Sequence, residues 1–164
     1  MRRVSKRIIS PFLVLVMLLA MIPAGTVLAS AASGSLDMTA EGLTATYAGD
    51  GTWTGGGNVA HGTVTGKGSL FKQSQSGSLT FTNTRSQAGY ISFDYKITEN
   101  TGSVTIAGNT VTGSGSYAPS AALGSGETVQ VVIKSGKGND KTTSIELTNI
   151  NLVVDVSATT TFKA

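Results

Sequence analysis

The sequence predicts an all-β protein, an antiparallel two-sheet sandwich made behind a cleavable signal peptide. Three observations carry this. Short runs of alternating apolar and polar residues recur from Leu79 onward, the period of half-buried strands. Clusters of Gly, Ser and Thr punctuate these runs like turns. No stretch past residue 32 repeats apolar residues at helical spacing over three turns, so an amphipathic helix is excluded. About eight to ten short strands in one domain follow, and spacing of this kind closes most often as a two-sheet sandwich.

The leader is read first. Arg2, Arg3, Lys6 and Arg7 make a basic start, Phe12–Ile22 is an apolar run of 11 residues, and Ala29-Ser30-Ala31 supplies the Ala-x-Ala pattern that signal peptidase reads. The run is short for a membrane span, which needs ~20 residues. Residues 1–32 are therefore assigned to a signal peptide, 33–157 to the sandwich, and 158–164 to a tail or the start of a linker. The expected location is secreted or extracellular, with membrane contact only through the leader before cleavage.

Removing the leader changes the charge. Four of the 12 basic residues lie in it, leaving 8 basic against 9 acidic residues, a net charge near −1. The remaining lysines and Arg85 are spread along the chain, which argues against a nucleic-acid partner. There is no cysteine, so an exported chain must draw its stability from packing rather than disulfides. A domain near this size buries enough surface to do so, ~68–70% of what the unfolded chain exposes.

The strand signals run in order. Leu79 and Phe81 alternate with Thr80 and Thr82, and Ile91, Phe93, Tyr95 and Ile97 alternate with Ser92, Asp94 and Lys96. Val104 and Ile106 form a short series. Val129, Val131 and Ile133 form another, apolar on both faces at Val132. Ile145 and Leu147 are odd-numbered, whereas Ile150, Leu152, Val154 and Val156 are even-numbered. A change of parity sends the apolar set to the other face, so a bulge or bend is predicted near Thr148-Asn149. Asp50-Gly51 is a hairpin signal. Residues 55–58, 66–68, 113–115 and 135–140 read as loops, residues 99–102 and Gly108-Asn109 as tight turns, and residues 120–123 as one short helical turn at most.

Gly77-Ser78-Leu79-Thr80-Phe81 and the run from Ile91 to Ile97 resemble paired strands in jelly-roll-like domains of bacterial surface proteins. The runs from Gly126 to Gly136 and from Thr143 to Ile150 extend the resemblance, which covers roughly residues 35–157. Similar blocks occur at the front of large exported proteins of Gram-positive gut bacteria, and cleaved-adhesin and carbohydrate-binding-like sandwiches are similar too. The resemblance implies a jelly-roll-like sandwich on a bacterial cell surface, serving adhesion or weak glycan binding. Downstream repeats and a wall-sorting signal are missing, so either a piece of a longer protein or a free secreted domain is expected.

Candidate sites are few. Trp53, the only tryptophan, lies in a Gly-rich stretch. It reads either as a platform on which a sugar face stacks, with Asp50 and Asn58 as hydroxyl partners, or as filling of the sandwich core. Tyr95 shares the core parity. Tyr90 has the outward parity, and Tyr117 reads as a loop residue, so these two are the surface aromatics. His61 is the only histidine, without the partners that a triad or a zinc site requires. Asp94 and Glu146 fall on polar strand faces where a glycosidase pair or a plain solvated face is read. Oxygen ligands for calcium are present at Asp50 with Asn58 and at Asn139 with Asp140, without a spaced acidic loop. No catalytic residue, metal or cofactor is expected. The expected partner is an extracellular glycan or a host or cell-wall surface. The alternatives are a ligand-free structural spacer and a small glycan-active enzyme.

Overall fold

The computed structural model describes residues 32–155. The expectations for the leader, for Val156 and for residues 158–164 lie outside them. Eleven strands form two sheets: β1 (Ala32–Leu36), β2 (Leu43–Gly49), β3 (Thr52–Gly56), β4 (Val59–Thr65), β5 (Ser76–Asn83), β6 (Gly89–Asn100), β7 (Ser103–Ile106), β8 (Asn109–Val111), β9 (Ser114–Tyr117), β10 (Thr128–Lys134) and β11 (Thr142–Val154). One sheet has the order β1-β2-β5-β10-β7-β8 and the other β3-β4-β11-β6-β9. The named strand pairs are all antiparallel. From β4 onward the chain passes from one sheet to the other at almost every connection, the winding of a jelly-roll-like sandwich.

Alternation builds the core. Leu79 and Phe81 on β5, Val129, Val131 and Ile133 on β10, and Val104 and Ile106 on β7 face inward from the six-stranded sheet. They meet Val64, Ile91, Phe93, Ile145, Leu147, Ile150 and Leu152 from the other. The rings of Phe81 and Phe93 meet across the interior with centroids 5.6 Å apart. Tyr95 is half-buried against this core.

The predicted change of face is present. Thr148 pairs with Asp94 and Asn151 with Ser92, so Asn149 and Ile150 together oppose the single residue Phe93. Asn149 takes a left-handed backbone with φ 54°, which Asn tolerates better than most residues. The extra residue turns Ile150 and Leu152 back into the core, where they keep only 3% and 5% of their surface exposed.

Several local readings are corrected. Asp50-Gly51 does not close a hairpin: β2 and β3 belong to different sheets, and the positive φ of Gly49 and Gly51 carries the chain between them. Residues 55–58 are not a loop. Gly55 pairs with Ala60 and Gly56 with Val59, leaving Gly57-Asn58 as a two-residue turn. Residues 99–102 span the end of β6 and a crossover rather than a hairpin turn. The tight turn after β7 is Ala107-Gly108, both at positive φ, and Asn109 already opens β8. Ser114 and Gly115 belong to β9, and residues 120–123 contain no helix.

The two ends of the sandwich differ. Residues 49–51, 66–75, 101–102 and 135–141 meet at one end. There Asp50 N–H donates to Ser76 O at 2.8 Å and Gly66 N–H to Lys141 O at 2.9 Å. The described chain begins at this end, because Ala32 pairs with Gly49, and it leaves at the other, because Val154 pairs with Gly89.

Candidate functional site

The outer face of the five-stranded sheet gathers the polar side chains. The strand period that buries Trp53, Ala60, Leu147 and Phe93 turns their neighbours outward. Register then aligns one residue from each strand into a row. Thr54 pairs with His61, His61 with Glu146, Glu146 with Lys96, and Lys96 with Ser114. Glu146 thus lies opposite His61 on one neighbouring strand and Lys96 on the other.

Beside this row the bulge organises a second group. The Ser116 hydroxyl donates to Asp94 Oδ1 at 2.5 Å, and Asn149 Nδ2 donates to Asp94 Oδ2 at 2.7 Å. Both hydrogen bonds favour the ionised carboxylate, so Asp94 is held below its ordinary value, the Ser116 bond being the larger cause. The group ties the edge strand β9 to β6 and β11. Shallow open depressions flank it, one of about 350 Å³ lined by Asp94, Lys96, Ser114, Ser116, Glu146 and Thr148. Another, of about 390 Å³, lies beyond the bulge against Asn58, Asn149, Ile150 and Asn151.

The residues singled out from the sequence do not converge. Trp53 is buried, with 5% of its surface exposed. Its ring lies on Gly62 and faces Ile133 of the opposite sheet, so the core reading holds and the stacking platform is excluded. Its indole N–H is buried and finds no hydrogen-bond partner among the described residues. Asp50 precedes β3 and is ion-paired with Lys67 at 3.2 Å. Asn58 lies at the far end of the same strand, where its carbonyl accepts from Ile150 N–H at 3.0 Å. The two therefore cannot share one ligand beside Trp53. Tyr90 is half-buried and opposite Val153, on the outward face as its parity predicts. Tyr117 is not a loop residue. It ends β9, and its ring stacks on Phe93 with centroids 5.0 Å apart; burial pushes its phenol up.

Asp94 and Glu146 do face the same way and line one depression. A glycosidase pairs one carboxyl held protonated with one kept ionised, and Asp94, lowered by its hydrogen bonds, has the character of the ionised member only. Among the described residues no group of three or more His, Asp or Glu is arranged to hold a metal ion. Asp140, offered with Asn139 as a calcium ligand, is ion-paired with Lys141 at 3.2 Å.

Sequence reasoning missed Ser116, Asn149 and Lys96 as members of one face. Alternation gives Lys96 and Asp94 a common side. Only the register between strands distant in sequence brings Ser116 and Asn149 to them. The chain matches no protein-family model and no curated protein. The all-β sandwich is thus defined by its own geometry.

Proposed function

We propose that this protein is a non-enzymatic, exported surface module that binds a hydroxyl-rich extracellular glycan weakly through the outer face of its five-stranded sheet. The observation that supports this reading is the in-register row from Thr54 to Ser114, flanked by the Asp94, Ser116 and Asn149 group. Sugar hydroxyls both donate and accept, and this face offers carboxylate, amide, hydroxyl, imidazole and ammonium groups side by side. With no indole platform and only shallow depressions, a single site has low affinity. Several copies on one surface would act through multivalency. The open face, with shallow depressions and no enclosing cleft among the described residues, favours binding over hydrolysis.

The test is a panel of polysaccharides and mucin glycans titrated with the exported chain and with Asp94→Ala, Lys96→Ala and Glu146→Ala. Saturable binding that the substitutions abolish, with melting still cooperative, supports the glycan reading. Absence of binding by well-folded protein rejects it.

A second reading, a ligand-free spacer, has its own support. The chain enters the sandwich at one end and leaves at the other, the arrangement that lets a module extend a larger assembly. Burial of Trp53 also suits it.

A further inference from the structure

The end of the sandwich at which the chain enters carries an apolar tip. Lys67 and Gln73 exchange backbone hydrogen bonds of 2.9 and 2.8 Å, closing a small hairpin over residues 68–72. At its turn Leu70 and Phe71 keep 90% and 85% of their surface exposed. Two adjacent large apolar side chains held this far out have no role in the core, and exposed apolar groups that lie together mark contact surfaces.

Charge is concentrated around the same tip. Among the described residues there are seven basic side chains, and five of them, Lys67, Lys72, Lys134, Lys137 and Lys141, lie on this end. They face only Asp50, Asp140 and Glu99 there, while the described chain as a whole has nine acidic residues against seven basic. The hairpin is braced against the lysine-bearing loop. Gly66 packs on the backbone of Gly136 and Gly138, and the stem of Lys72 lies over Gly138.

We propose that the Leu70–Phe71 tip and the lysines around it form a docking surface for an anionic lipid bilayer. Apolar side chains that enter the headgroup boundary and basic side chains that meet anionic lipid reinforce one another in interfacial binding. Charge complementarity favours an anionic bilayer over other occupants: five lysines surround the two apolar side chains, and two of the three carboxylates at this end are already ion-paired, Asp50 with Lys67 and Asp140 with Lys141. The proposal stands apart from the glycan-binding face, which lies on the broad side of the sheet.

The test uses residues 32–164, which carry every core residue named above and none of the apolar leader. Sedimentation is measured with vesicles of phosphatidylcholine alone and of phosphatidylcholine mixed with phosphatidylglycerol. Binding to the mixed vesicles, weakened by salt, is expected to fall about tenfold or more in L70S/F71S. A smaller loss is expected in K72Q/K137Q. Because these side chains are solvent-exposed, the melting temperature should not move. Absence of vesicle binding, or binding equal in L70S/F71S and the parent, overturns the proposal. So does a dimer that L70S/F71S converts to monomer without any vesicle binding, since the tip would then join two copies of this chain.

Discussion

The indole of Trp53 lies on the backbone of Gly62: a β-carbon there would come within 2.6 Å of ring atom Cζ3 and within 2.6 Å of Ile133 Cδ1. The two residues are directly paired across β3 and β4. The missing side chain of one strand makes the space that the largest side chain of its neighbour fills, and the ring covers a glycine that would otherwise weaken the strand.

Gly62→Ala should therefore destabilise the protein by about 2–3 kcal/mol through overpacking, and Trp53→Ala by about 3–5 kcal/mol through a cavity. In a Trp53→Ala background Gly62→Ala should cost much less, because the two share one space. Urea midpoints of the four proteins measure this, and additive effects would refute the seating of the ring. Native fluorescence should be blue-shifted and resist soluble quenchers.

Asp94 predicts a specific acid response. Its folded pKa lies below the ordinary value of 3.8, so its stabilising contribution is present above that value and is lost as pH falls through the folded pKa. Asp94→Asn should be less stable than the parent near neutral pH. The difference should shrink as the pH drops below 3.8. Denaturant midpoints across the acid range test it, and a gap that widens on acidification would contradict the hydrogen bonds from Ser116 and Asn149.

At the bulge, backbone and side chain make separable demands. Asn149→Gly keeps the left-handed backbone but loses the bond to Asp94. Asn149→Val loses the bond and forces a β-branched residue to φ 54°. The valine variant should be the less stable by about 1–2 kcal/mol, and equal thermal midpoints would argue against a strained position.

Asn83 is fully buried and ties two connections together. Its amide donates to Gln87 O at 3.0 Å and Leu123 O at 2.9 Å, and its carbonyl accepts from Arg85 N–H at 3.0 Å. Asn83→Ala leaves buried groups without partners and should cost about 2–4 kcal/mol. Amide exchange should quicken first in residues 84–88 and 118–127.

Much of the sheet structure was legible because burial imposes a two-residue period. The parity change between Leu147 and Ile150 is a direct imprint of the bulge, since every inward residue must reach the core. Sheet membership was not legible. Asp50-Gly51 has the chemistry of a hairpin turn, but the same positive-φ glycines serve a crossover equally well. β9, Ser-Gly-Ser-Tyr, carries almost no apolar signal, and it is a strand because the edge of β6 offers it hydrogen-bonding partners. Trp53 has threonines on both sides, so no run of alternation revealed its face. The Asp94, Ser116 and Asn149 group depends on contacts across as many as 55 residues of sequence, beyond the reach of any local pattern.

The placement of the chain ends has a mechanical consequence. Tension applied between Ala32 and Asp155 runs along the strands. It pulls β1 past β2 and β11 past β4 and β6 in shear, so each ladder shares the load among its bonds instead of opening one pair at a time. A module held this way in a surface under flow would resist extension well beyond its equilibrium stability. Single-molecule pulling between these ends should need more force than pulling between Ala32 and Thr101, which lie at the same end; equal forces would count against shear loading.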